Sequence, residues 1–235
     1  MPAACLFDLD GLLLDTEPLH AQAWSEAAAA FALTLTERDL LRLRGRRRLD
    51  CVAQVREWIA LRTGGPAPTA EALLALQQPL ARQLMPTARP VEGAPDLVAR
   101  CQERGVPMAM VTSSTEEAVA LKEAPHPWLA MIRLRVHGDD PALAAGKPAP
   151  DPYLLAARRL GVAATDCWAF EDSLAGARSA LEAGCLVHLL LPPGQDSPWA
   201  EGDEIPSACR VVRGLAEVDL PAPPEGGRRV GLEGQ

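Results

Sequence analysis

The sequence predicts an α/β protein: a doubly wound parallel sheet, interrupted after its first strand by an inserted α-helical bundle. Three observations carry this. Residues 3–7 form a short apolar run that stops at Asp8, Leu9 and Asp10, and Gly11 then breaks the chain. Such a run, closed by a turn signal, is the pattern of a buried parallel strand. Residues 18–85 are rich in Ala, Leu, Gln, Glu and Arg and contain no convincing strand. Beyond residue 95 the pattern alternates strand and helix, as crossover units of a parallel sheet require.

The elements follow in order. Pro18 suits the first turn of a helix, and Glu17, His20 and Trp24 recur at helical spacing. The bundle is expected as helices over 18–31, 36–43, 49–62 and 69–85, the last two divided by the Gly- and Pro-rich residues 63–68. A Pro- and Gly-rich joint spans 86–95. A helix over 96–104 closes at Gly105. A strand over 107–111 ends at Thr112, Ser113 and Ser114, and a helix over 115–123 follows. A short strand is expected at 134–137. Asp151 and Pro152 open a helix that ends at Gly161. A strand over 167–170 ends at Glu171 and Asp172, and Ser173 caps a helix that Gly184 closes. Strands over 186–191 and 209–212 complete the sheet. Residues 1–17 and 86–220 thus make one core, 18–85 an inserted cap, and 221–235 a tail without periodicity, expected to be loosely held.

The chain has 235 residues, 48% hydrophobic and 23% charged, enough for a full core. A net charge of −8 argues against a general nucleic-acid or membrane-surface binder. No signal peptide or spanning stretch is read. The six cysteines lack CxxC spacing and are expected to be buried, reduced thiols of a cytoplasmic protein. Four scattered histidines make a zinc site an unsuitable reading. A monomer or weak dimer is expected.

Chemistry gathers at the strand ends. Ligands of open parallel sheets bind beyond the carboxyl ends of the strands. Asp8 and Asp10, two residues apart, are expected to share a face and converge on one point. Two carboxylates that close are costly unless a cation lies between them, and hard divalent ions prefer such oxygens. Thr112 and Ser113 end the next strand, Glu171 and Asp172 a later one. Lysine occurs only at Lys122 and Lys147, every other basic residue being Arg. A chain this poor in lysine keeps one in Gly146-Lys147-Pro148, and its compact charge suits phosphate oxygens.

These residues, in this order, resemble the haloacid dehalogenase-like hydrolase superfamily. FDLDGLLLDTEPLH is similar to its nucleophile motif, VTSS to its second motif, GDDPALAAGKPAPDPYLLAARRLG to its lysine motif and FEDSLAGARSALEAG to its acidic metal motif. The resemblance runs from about residue 3 to 193. It implies a Rossmann-like core with a mobile helical cap inserted after the first strand. It implies a Mg2+-dependent phosphatase of a small phosphorylated metabolite, a sugar phosphate or phosphoglycolate-like compound, working through an aspartyl-phosphate. Asp8 would be the nucleophile, ionised at pH 7, and Asp10 the acid and base. Thr112, the Ser113 amide and Lys147 would bind the phosphoryl group. Mg2+ would be held by Asp8, the Asp10 carbonyl and Asp172, with Glu171 nearby. Asp10 is the second acid that true dehalogenases of the superfamily lack, so phosphoryl chemistry is preferred. His20, Arg46 and Arg48 are the candidates for substrate selection, since Arg forks suit carboxylate or a second phosphate. A β-phosphoglucomutase-like sugar phosphomutase is the alternative. A receiver-like signalling module and a non-catalytic binding relative fit less well, the first because of the helical insert and the second because no motif residue is missing.

Overall fold

A computed structural model describes residues 1–191 and 205–221. The tail expected over 221–235 lies outside them, apart from Pro221. In chain order the elements are β1 (Ala4–Phe7), β2 (Leu14–Asp15), α1 (Glu17–Ala29), α2 (Glu37–Leu43), α3 (Arg48–Thr63), α4 (Ala70–Leu84), β3 (Arg89–Pro90), α5 (Ala94–Glu103), β4 (Met108–Val111), α6 (Glu116–Glu123), β5 (Leu134–Val136), α7 (Asp151–Leu160), β6 (Cys167–Glu171), α8 (Leu174–Glu182), β7 (Leu186–Leu190) and β8 (Cys209–Val212).

The described residues form a six-stranded sheet in the order β5-β4-β1-β6-β7-β8, parallel throughout. The chain runs outward from β1 to β4 and β5, then crosses to β6 on the other side. The reversal falls beside β1, which is where a doubly wound sheet opens its ligand crevice. Alternation along β1 makes the two faces. Cys5 and Phe7 pack with Leu97, Val98 and Cys101 of α5, while Ala4 and Leu6 pack with Tyr153 and Ala156 of α7 and Ala177 and Ala180 of α8. Phe7 stacks on Phe170 of β6 with ring centroids 4.8 Å apart. Burial on both faces explains why β1 reads as a continuous apolar run.

Helices α1–α4 make a separate apolar cluster around Trp24, Val55, Trp58, Ile59 and Leu73. Thr36 and Asp39 form a reciprocal capping box at the start of α2, and Arg62 of α3 clamps the Asp39 carboxylate through two bonds of 2.6 and 2.8 Å. The chain enters and leaves the helical insert side by side, because β2 and β3 pair antiparallel, Leu14 opposite Pro90 and Asp15 opposite Arg89. A two-residue pairing leaves no periodic signal in a sequence. Among the described residues no helix is long and apolar enough to cross a membrane, and all six cysteines are buried and free.

Candidate active site

The carboxyl ends of β1, β4 and β6 open into a cleft of about 1300 Å³ between sheet and insert, lined by Asp8, Asp10, Ser113, Ser114, Lys122 and Asp172 from the core and by His20, Arg44, Arg46 and Arg48 from the insert. Asp8 follows β1 directly and is buried. Lys147 reaches it from the loop before α7, with Nζ 2.6 Å from Asp8 Oδ1, 2.5 Å from Glu171 Oε1 and 2.9 Å from the Val111 carbonyl. The ammonium thus ties together the ends of all three strands. Glu171 also accepts from the Tyr153 hydroxyl at 2.5 Å and from Ser173 Oγ at 3.3 Å. Thr112 is buried, and its Oγ1 accepts from the Ser114 amide at 3.1 Å.

Asp8, Glu171 and Asp172 each offer a carboxylate oxygen within 4.8 Å of the others, the arrangement of a cation site. Asp172 Oδ1 is buried without a hydrogen-bond partner among the described residues, an orphan acceptor aimed at the cluster. Gly11 lies against this acid. A Cβ built there would stand 2.0 Å from Asp172 Oδ2, and its φ of +84° is one that only glycine adopts readily.

Asp8 joins Glu171 and Asp172, while the Asp10 side chain turns to other partners. The strand ends at Phe7, so the alternation that governs strands does not reach Asp10. Each acid has its own lysine. Lys122 of α6 is buried and bonds both Asp10 oxygens, at 2.5 and 2.6 Å, and Ser114 Oγ at 2.8 Å. Ser114 Oγ donates to Asp10 Oδ2 at 2.8 Å and Thr16 Oγ1 to Oδ1 at 2.7 Å. His20 Nε2 approaches Oδ1 at 3.4 Å. The Asp10 carboxylate is not one of the three acids of the cluster.

The electrostatics differ at each acid. Burial pushes Asp8 up to about 7, helped by Glu171 and Asp10 and opposed by Lys147. Burial likewise lifts Asp172 to about 6, against the pull of Arg44. Glu17 is driven well above the usual carboxylate range by burial and by Asp172. Burial would raise Asp10 too, but Lys122 and His20 override it and hold the carboxyl well below its ordinary value. Lys147 is desolvated, yet Asp8 and Glu171 keep it above the usual lysine value. Burial beside other carboxylates thus resists the ionisation of Asp8, and Lys147 favours it. Asp8, Asp10, Glu17, Glu171 and Asp172 crowd around Lys122, Lys147 and Arg44, an acid-rich group that favours a cation among Asp8, Glu171 and Asp172.

The arginine cluster after α2 turns inward by a residue that sequence reasoning did not single out. Arg44 Nη2 lies 2.5 Å from Asp172 Oδ2, and Nε lies 3.1 Å from Glu17. Ser113 Oγ donates to the Gly45 carbonyl at 2.9 Å, binding the same loop to the end of β4. Arg46 and Arg48 line the cleft, and Arg48 Nη2 reaches Thr115 Oγ1 at 3.4 Å. Lys122, Ser114, Thr16 and Tyr153 were also missed. The rarity of lysine, which marked Lys147, applied equally to Lys122.

A profile of the haloacid dehalogenase-like hydrolase family matches residues 2–184. Fructose-1-phosphate phosphatase YqaB of Escherichia coli is 35% identical over 203 residues, covering 77% of this chain and 93% of that protein. A mitochondrial (DL)-glycerol-3-phosphatase 1 of Arabidopsis thaliana is 29% identical over 77% of this chain, which spans only 61% of that relative's length. Among solved structures, a CbbY variant from Rhodobacter sphaeroides in complex with xylulose-(1,5)bisphosphate superposes with a TM-score of 0.74 at 26% identity, covering 92% of this chain and 96% of that one. By its sequence and its architecture alike, the chain belongs to the haloacid dehalogenase-like hydrolase family.

Proposed function

We propose that the protein is a Mg2+-dependent phosphatase of a small phosphorylated metabolite, a sugar phosphate or phosphoglycolate-like ester, acting through an aspartyl-phosphate on Asp8. The observation that carries this reading is the buried Asp8–Lys147–Glu171 group beside the orphaned Asp172 oxygen, at the mouth of a sheet crevice. Relatives named for fructose-1-phosphate and glycerol-3-phosphate support the substrate class.

In this reading an Asp8 oxygen attacks phosphorus. The leaving oxygen takes a proton from the protonated form of Asp10, a minor form because Lys122 and His20 favour the carboxylate. Water then attacks the phosphorus, the bond to Asp8 breaks, and Asp10 takes the proton back. Thr112, the Ser113 amide and Lys147 bind the phosphoryl oxygens, and positioning with charge neutralisation does most of the work. Mg2+ bound by Asp8, Asp172 and the Asp10 carbonyl, with Glu171 nearby, would neutralise the excess negative charge and favour ionised Asp8. Helices α1–α4 act as a cap over the cleft, excluding water when closed. The six free cysteines support a reducing, cytoplasmic setting.

The test is a screen of phosphorylated metabolites with Mg2+, reading released phosphate. Turnover without an added bisphosphate activator separates a phosphatase from a phosphomutase. The cap loop then has its own expected result. Arg46→Ala and Arg48→Ala remove positive charge from the cleft wall but leave the Asp8 group intact. At least one raises KM for the best metabolite, by the roughly 1.5–3 kcal/mol of a charge-assisted hydrogen bond. Turnover of p-nitrophenyl phosphate, which offers no second anion, changes little. Equal losses on both substrates would assign the loop to fold or lid motion instead.

A further inference from the structure

Lys122 is not one of the residues that the phosphatase reading uses, yet it is among the most completely buried large side chains of the protein, 1% exposed. Its ammonium spends all three donors: two on the two oxygens of Asp10 and one on Ser114 Oγ. Ser114 in turn donates to Asp10, so lysine, serine and aspartate close a small ring. Both donors sit on one piece of chain. Ser114 ends the β4 loop, Thr115 caps α6 through the Ala118 amide, and Lys122 lies in the last turn of that helix. Asp10, by contrast, lies on a loop past β1, bridged to Leu14 and followed by Gly11 at positive φ, so side-chain partners, Lys122 and Ser114 with Thr16, hold its carboxylate in place. A structural ion pair alone would be satisfied by one contact, and at a buried site an apolar pair is often as stable.

We propose that Lys122, with Ser114, is a positioning residue that aims the Asp10 carboxylate at the reacting oxygens. From one compact, buried centre its tetrahedral ammonium reaches both Asp10 oxygens and the Ser114 hydroxyl beside them. The inference rests on the phosphatase reading, since it gives Asp10 its proton-transfer role.

The experiment uses 2,4-dinitrophenyl phosphate with Mg2+, a substrate whose leaving group departs without a proton. The first turnover then needs Asp8 but not Asp10, whereas release of the phosphoryl group from Asp8 needs Asp10 to take a proton from water. Lys122→Met keeps first-turnover dinitrophenolate release within about 3-fold of wild type, while steady-state turnover falls by about 10²-fold, the scale of a misplaced acid–base group. Phosphoryl group accumulates on Asp8 in this variant, as it does in Asp10→Asn. The double variant loses no more than the worse single one. Ser114→Ala keeps the ion pair and guards against a folding failure of Lys122→Met; it shows the same burst with a smaller steady-state loss of about 10-fold. Equal slowing of both phases, or wild-type kinetics in both variants, would overturn the positioning role. A wild-type enzyme that releases no dinitrophenolate, or an Asp10→Asn variant without the burst, would instead overturn the reading on which it rests.

Discussion

Asp8→Asn abolishes phosphate release, by at least about 10³-fold, while far-UV circular dichroism and the unfolding temperature stay close to wild type. The geometry gives both halves of this expectation. Asp8 follows β1 directly, beside the reversal in strand order, contacts Lys147 and belongs to the acidic cluster. An amide of the same shape cannot attack phosphorus as a carboxylate does. The fold should tolerate the change, because Asp8 is buried at high cost to its charge and Lys147 retains Glu171 and the Val111 carbonyl. Retained turnover in a folded variant would remove Asp8 from the role of nucleophile.

Chelation has the second large effect. Excess EDTA removes activity, and Mg2+ restores it. The reason is the acidic cluster of the cleft. Burial lifts Asp8 to about 7 and Asp172 to about 6, against the pull of Lys147 and Arg44, and a bound cation would favour their ionised forms. Asp172→Ala removes a carboxylate of the three-acid group and the partner of Arg44. It weakens divalent binding by at least about 10-fold, measured by calorimetry with Mg2+ or by electron paramagnetic resonance with Mn2+, independently of turnover. Full activity in EDTA, or unchanged metal affinity in Asp172→Ala, would contradict the cation site.

What the sequence could and could not reveal follows physical lines. The sheet was legible because strands buried on both faces are apolar runs, and a charged residue at the end of such a run has few structural reasons to be there. Asp8, Thr112, Glu171 and Asp172 were visible for that reason, and Lys147 by its rarity. The helices of the insert were legible from composition and breakers. The partners of Asp10 were not. Lys122 sits on a helix between Leu121 and Glu123, where a lone lysine looks like an exposed face, and its burial depends on how α6 lies against the β1 loop. The direction of the arginines was equally hidden. Arg44, Arg46, Arg47 and Arg48 flank one glycine; in the fold Ser113 bonds the Gly45 carbonyl of that loop, and Arg44 reaches Asp172. The reach of Asp10 was also hidden, because β1 ends at Phe7 and the alternation of a strand no longer says where a side chain beyond it turns.

The central claim is that a phosphoryl group passes through Asp8. The direct measurement is peptide mass spectrometry of enzyme mixed with 2,4-dinitrophenyl phosphate and Mg2+, quenched in acid within the first turnovers, with Asp10→Asn used to slow release. One phosphoryl group on the peptide that carries Asp8, absent in Asp8→Asn and absent without Mg2+, is the predicted result. Phosphate released with no adduct on that peptide, or an adduct on another residue, would contradict it.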